Sequence, residues 1–274
     1  MSLPGPDCLA QWQSLRALTK AAGWTLNEAA LAQAERLFLS QYAGTATPVG
    51  ITKEYEWDEF LLPLDGQGAA ARLSEVAMGR ARRLLAEHPA FTRWFRADRL
   101  ADGTPVLLAA RWLCHLAGWR HATVEIFIDP PDLPGHTLVQ VRGMDKFEAP
   151  GAFDMPCAGH VTATDAVEAS LGKELAEELG LGLDDFENLS EVIRYESCTN
   201  IEKDVTNAIW PVNIEYRILF YARIKRDAIQ HIRFTDGEVA GLAVISVEEL
   251  RALIRRFPER VASGLQGAMP FYPA

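Results

Sequence analysis

Residues 165–181 constrain this chain more than any other stretch. Leu171, Leu175 and Leu179 recur at four-residue spacing, which lines one stripe of an α-helix, and Gly180 follows where a helix stop is expected. Glu174, Glu177 and Glu178 stand at i, i+3 and i+4, so they project from one helix face within about one turn of each other. Like charges at that spacing destabilise a helix by roughly a few tenths of a kcal/mol per pair. The leucine stripe demands an apolar sheet beneath the helix, and the acidic face demands either bulk water or a neutralising cation. Carboxylate oxygens are hard ligands of the kind that Mg²⁺ and Mn²⁺ prefer.

The sequence around this helix supplies the sheet. Strand-like runs occur at 122–128, 137–141, 191–196, 214–224 and 241–247, and a closing helix is expected over 247–257 with Ser246 as its N-cap. Strands around an acidic helix, followed by a terminal helix, read as an α+β fold. Before residue 118 the texture is mainly helical. The pattern predicts helices over 25–42 and 68–95, while 49–64 is ambiguous between extended chain and short helix. At 274 residues the chain is long for one domain. The expected division is an N-terminal helical extension, 1–117, and a catalytic domain, 118–274.

Composition narrows the partners. Twenty-seven Lys and Arg against 37 Asp and Glu give a net charge of −10, which disfavours a nucleic-acid polymer because phosphate contacts need a basic surface. A protein of this charge that handles phosphates needs a metal to carry the positive charge. No apolar run has the length of a membrane helix, and the first ten residues lack a basic segment and contain Pro4, Pro6 and Asp7. Cys8, Cys114, Cys157 and Cys198 show no metal-knuckle or disulfide spacing, in keeping with a reducing, cytoplasmic setting.

The segment resembles the Nudix box, G-x5-E-x7-R-E-U-x-E-E-x-G-U with U aliphatic. It matches at Gly159, Glu174, Leu175, Glu177, Glu178, Gly180 and Leu181. Asp165 stands where the family has Glu, and Lys173 where it has Arg, which keeps the charge but loses the planar fork. Gly172 is a further departure from a good helix former. The resemblance implies a Nudix α/β/α sandwich with a mixed sheet, preceded by the helical extension. It also implies Mg²⁺- or Mn²⁺-dependent cleavage of a small organic or nucleoside diphosphate. Glu174 and Glu178 would be metal ligands with Glu177 assisting, and the Gly159 carbonyl would complete the shell. Glu174, Glu215 and Glu238 are candidates for the base, and Arg142 and Lys173 for contacts to the diphosphate.

Upstream, Gly118 to Phe127, Gln140 to Gly143, Asp145-Lys146 and Pro150 to Asp154 are similar to the branch that includes isopentenyl-diphosphate isomerase and thiamine-pyrophosphokinase-associated Nudix proteins. By that resemblance His160 would match a metal histidine and Glu215 a catalytic glutamate; His160 also reads simply as a polar strand-end residue. The isomerase cysteine position is Ala158 here, and Cys157, one residue earlier, would face the opposite side of an extended strand. A non-catalytic diphosphate-binding module is a third reading. His115 and His121 read as structural, and Tyr195, Trp210 and Tyr216 as core aromatics rather than a stacking platform. A homodimer is expected from the family resemblance and from the apolar face of the extension.

Overall fold

A computed structural model of the chain describes residues 13, 16, 17 and 20, and then 59–273 except 66, 88, 90, 91, 93, 147, 148, 164, 200–212, 235 and 236. The helix expected over 25–42, most of the ambiguous 49–64 segment and Trp210 lie outside the described residues. The chain divides into two compact units. The first comprises Met1–Ala122, Thr162–Thr164 and Glu196–Tyr216; the second comprises Thr123–Val161, Asp165–Tyr195 and Arg217–Ala274.

In the first unit, strand β3 (Pro105–Ala110) lies between β1 (Phe60–Leu61) and β2 (Phe95–Arg99), antiparallel to both. Its central position explains its unbroken apolar text: Val106 to Ala110 are all buried. The β2–β3 turn runs through Asp102-Gly103, with Gly103 at φ +81° and the Leu100 N–H donating to the Thr104 carbonyl. Helix α1 (Glu75–Glu87) is shorter than the 68–95 span that the pattern predicts. Ser74 supplies its cap, accepting from the Ala77 N–H at 3.1 Å. Helix α2 (Arg111–Ala117) ends at Gly118 in the left-handed region, φ 63°. The described part of the extension therefore mixes a three-stranded sheet with its helices.

The second unit carries most of two sheets. One has the order β7-β4-β9-β8, formed by β4 (His121–Asp129), β7 (Cys157–His160), β8 (Phe186–Thr199) and β9 (Asn213–Ile224). The other has the order β10-β5-β6, formed by β5 (His136–Arg142), β6 (Phe153–Asp154) and β10 (Val239–Ser246). Phe127, Val139, Met155, Leu219, Leu250 and Leu265 form its core. Helix α3 (Val167–Glu174) passes into a π-helical turn, Leu175–Leu179, and Leu171, Leu175 and Leu179 are fully buried, as the stripe requires. Gly180 closes it at φ 69°.

Helix α4 (Val247–Arg256) follows β10, and its N-cap is Ser246 as expected; the Ser246 hydroxyl accepts from the Glu249 N–H at 3.2 Å. Helix α5 (Ser263–Ala268) is tied behind it. The Ala262 N–H donates to the Phe153 carbonyl at 2.8 Å, and the Tyr272 hydroxyl donates to Asp129 Oδ1 at 2.7 Å. Asp129 also accepts from Tyr221 at 2.8 Å.

Replacing Ser246 with alanine removes the cap of α4 and is expected to lower unfolding free energy by about 1 kcal/mol. Urea denaturation would check this, with the m-value unchanged.

Candidate functional site

The acidic helix does not present three equivalent glutamates. Glu178 is 4% exposed, and its Oε2 has no hydrogen-bond partner among the described residues. Burial raises its carboxyl well above the ordinary carboxylate range, and the charges of Glu174, Glu238 and Asp154 add to this while Lys146 opposes it. Glu174 lies against Gly159 of β7. A Cβ on Gly159 would stand 2.0 Å from the Glu174 Cδ and 2.3 Å from its nearer carboxyl oxygen. Glycine is thus the residue that lets this carboxylate reach the strand backbone.

Glu177 turns the other way. It is exposed, and Lys173 sits one helical turn back with its ammonium 3.9 Å from the Glu177 carboxylate. The π turn explains part of the split, since a hydrogen-bond ladder widened to i→i+5 breaks the α-helical phase just where the glutamates occur. A buried carboxylate with an unpartnered oxygen, beside a second carboxylate, is a donor set that suits a hard divalent cation. Glu174 and Glu178 fit that group; Glu177 and Lys173 lie on its solvent side, and Asp165 is exposed ahead of α3.

Cationic side chains come from the strand and loop before the box. Arg142, at the end of β5 and expected to contact the diphosphate, donates to Asp154 Oδ2 at 2.6 Å in a salt bridge. Lys146 pairs with Glu238. Their loops are pinned together: the Gly143 N–H donates to the Glu238 carbonyl at 2.7 Å, and a Cβ on Gly143 would stand 2.6 Å from the Gly237 carbonyl. Glu238, whose plain reading is a loop carboxylate, thus belongs to the charged surroundings of Glu178. Lys146 is the residue that pattern reading passed over; its signal was a lone cation in the Asp145-Lys146 pair just upstream of the box.

Glu215 belongs to the first unit. It is nearly buried and accepts from the Asn213 amide at 2.8 Å. In the same unit His121 is fully buried, with Nδ1 2.8 Å from the Trp119 carbonyl, and its ring lies 4.7 Å from that of His115. Burial lowers both imidazoles, His115 the more strongly, while the Glu215 charge works the other way on His121. Two neutral imidazoles and a carboxylate are themselves competent metal ligands. In the second unit, His160 pairs with Thr123 across β7 and β4, and Cys157 is fully buried opposite Ile126. Ala158 packs on the core side of β7, so the alternation expected of Cys157 and Ala158 is present. Tyr195 packs 4.9 Å from Phe271, and the Tyr216 ring lies under Gly68. Cys114 is buried and Cys198 exposed, both as free thiols.

Two outcomes are expected. A Gly159→Ala substitution should displace Glu174 and weaken Mg²⁺ binding at least tenfold by calorimetry, with the far-ultraviolet circular dichroism unchanged. Because the Glu178 carboxyl is raised in the fold, its stabilising contribution is complete below its unfolded value, near 4.5, and is lost as pH rises through the folded value. In chelator, the thermal midpoint should therefore fall as pH rises from about 4.5, and Glu178→Gln should flatten that limb.

No protein-family model matches the chain. It is 27% identical over 158 residues to isopentenyl-diphosphate Delta-isomerase 2 of Photorhabdus laumondii, spanning 57% of this chain and 78% of that protein. It is 28% identical over 154 residues to isopentenyl-diphosphate Delta-isomerase of Dinoroseobacter shibae, spanning 56% and 78%. It is also 31% identical over 144 residues to Nudix hydrolase 3 of Arabidopsis thaliana, spanning 52% of this chain but 18% of that protein. A solved MutT Nudix hydrolase from Burkholderia pseudomallei superposes with a TM-score of 0.40 at 13% identity, over 56% of this chain and 98% of that one. In the spacing of its box, and in the helix and sheets that carry it, the chain is similar to the Nudix superfamily, and its curated relatives put that similarity in the isopentenyl-diphosphate isomerase branch.

Proposed function

We propose that the chain is a divalent-metal-dependent hydrolase that cleaves the diphosphate linkage of a nucleoside diphosphate derivative or another small organic diphosphate. The observation that carries this reading is the buried Glu178 carboxylate, with an unpartnered oxygen, beside the Glu174 carboxylate that Gly159 admits. Glu174 and Glu178, with the Gly159 carbonyl and Glu177 at the rim, would hold Mg²⁺ or Mn²⁺. When bound, such an ion neutralises a diphosphate and lowers the pKa of attacking water. The chain's own residues do the rest. Arg142, braced by Asp154, and Lys146, braced by Glu238, orient phosphate oxygens, and Lys173 adds charge at the rim. A carboxylate accepts the proton of the attacking water, and Glu174, Glu215 and Glu238 are the candidates.

The same reading takes residues 1–117 as an N-terminal extension to a catalytic domain, 118–274. It places the protein in the cytoplasm as a homodimer acting on a small molecule and not on a nucleic-acid polymer or a membrane. Among the described residues, no helix is long and apolar enough to cross a membrane.

Isomerisation of an isoprenoid diphosphate is the second reading. The curated isomerases of similar sequence favour it, as do the paired imidazoles beside Glu215. Ala158 stands against it, because its methyl group occupies the face where the resemblance calls for a thiol.

The deciding experiment incubates the purified protein and its Glu178→Gln variant with Mg²⁺. The panel comprises nucleoside diphosphate derivatives, dinucleotides, thiamine diphosphate and isopentenyl diphosphate. Release of phosphate or monophosphate that drops at least 100-fold in the variant is expected. Deuterium incorporation from D₂O into isopentenyl diphosphate, without phosphate release, would replace hydrolysis by isomerisation. Saturable metal-dependent binding without turnover would leave a binding module instead.

A further inference from the structure

The second unit buries a charged group apart from the box carboxylates. Glu125 on β4, Arg217 on β9 and Tyr195 on β8 come from three strands that are neighbours in one sheet. Arg217 Nη1 donates to Glu125 Oε2 at 3.1 Å, and the Tyr195 hydroxyl donates to Glu125 Oε1. The side chains of Arg217 and Glu125 are 10% and 3% exposed. Two residues further along the strands, Phe127 and Leu219 fill the apolar core, as does Ile193 on β8, so the three polar groups share the inner face with that core. A layer that served only packing would be at least as stable with aliphatic residues here, since a buried ion pair recovers little more than its desolvation cost.

The surroundings of the trio indicate a use. Helix α5 turns two glycines toward it. A Cβ on Gly264 would stand 3.0 Å from Arg217 Nη1 and 3.4 Å from Asp154 Oδ1. A Cβ on Gly267 would have one neighbour within 4 Å, the Tyr195 hydroxyl oxygen at 3.9 Å, so there is room for more than a hydrogen above that phenol. Asp154 also holds Arg142 and acts on the charge of Glu178. Polar groups therefore run within one unit from the box carboxylates, past Asp154, to Arg217, Glu125 and Tyr195.

We propose that Glu125, Arg217 and Tyr195 read the organic part of the diphosphate substrate, and that this part is a hydrogen-bonding ring system and not a hydrocarbon chain. The inference rests on the diphosphate reading above, which sets the other end of the substrate at Glu174 and Glu178. Glu125 accepts from an N–H or O–H of the ring system, the guanidinium donates to its ring nitrogen or carbonyl, and the phenol oxygen, whose hydrogen goes to Glu125, accepts a further hydrogen bond. A hydrocarbon chain in that place would strip water from all three groups and return no hydrogen bond. Sites built to pair with a polar group discriminate strongly against analogues that lack it.

The test measures equilibrium binding to the Mg²⁺-loaded protein by calorimetry. The probes are methylenediphosphonate, isopentenyl diphosphate and the α,β-methylene analogues of adenosine, guanosine and uridine diphosphate. Two variants accompany the parent. Tyr195→Phe removes one hydroxyl and keeps the ring against Phe271; Gly267→Ala adds one methyl where the nearest atom is at ordinary contact distance. At least one nucleoside analogue should bind tenfold or more tightly than methylenediphosphonate, and isopentenyl diphosphate should show no such margin. Both variants should lose most of the margin while their affinity for methylenediphosphonate stays at the parent value. Equal margins in parent and variants, no margin for any nucleoside analogue, or a tenfold margin for isopentenyl diphosphate would each overturn the proposal while leaving the diphosphate site standing. Failure of methylenediphosphonate to bind the parent would overturn the diphosphate reading and this inference with it.

Discussion

Burial of a leucine stripe forces a carboxylate out of water, and much of the second unit follows from that competition. Leu171, Leu175 and Leu179 are fully buried, and each such side chain contributes roughly 1.5–3 kcal/mol. Repulsion between neighbouring glutamates on a helix is worth a few tenths of a kcal/mol per pair, by order of magnitude. The stripe wins, the helix lies down on the sheet, and Glu178 goes with it into a place where its charged form is disfavoured. A group held in that condition binds a proton more tightly than an exposed carboxylate does. Gly159 completes the arrangement from below, because any larger residue on β7 would displace Glu174.

The electrostatic surroundings answer that burial in part. A chain with a net charge of −10 nonetheless brings Arg142 and Lys146 close to its acidic centre, each already matched by a carboxylate, Asp154 and Glu238. Pairing keeps these long side chains in fixed positions. An arriving polyanion would exchange partners with them and would not need to order them anew. The pinning of the two loops at Gly143 serves the same end, since it fixes the backbone from which Lys146 and Glu238 extend.

How much of this was legible depends on whether the signal was periodic. Strands β4, β5 and β9 and helix α4 fall within about two residues of the spans that alternation and capping predict, and the box helix begins two residues later than expected, at Val167. Strands β2 and β3 were hidden because Val106 to Ala110, buried throughout, have no alternation to read, although the Asp102-Gly103 turn between the strands was in view. The box spacing identified Glu174 and Glu178. It could not distinguish them from Glu177, because the π turn that sends Glu177 to the surface leaves no mark in residue type. Lys146 and Glu238 are 92 residues apart, and only the loop contact relates them. The trio did leave a trace, since Glu125 lies between Val124 and Ile126 and Arg217 directly precedes the apolar Ile218 to Phe220, and an uncompensated charge in such a place calls for a partner.

The anchoring of helix α5 bears on how the second unit responds to change. The helix is fixed before its first turn by the hydrogen bond from Ala262 to Phe153, and after its last by the Tyr272 phenol on Asp129, a carboxylate that Tyr221 already holds. A segment restrained at both ends acts as a strut and not as a hinge. It cannot slide to relieve crowding at Gly264, so bulk added there is pressed into the sheet beneath instead of being absorbed by drift of the helix. Stiffness at the chain's far end thereby sets the tolerance of a surface that three strands supply.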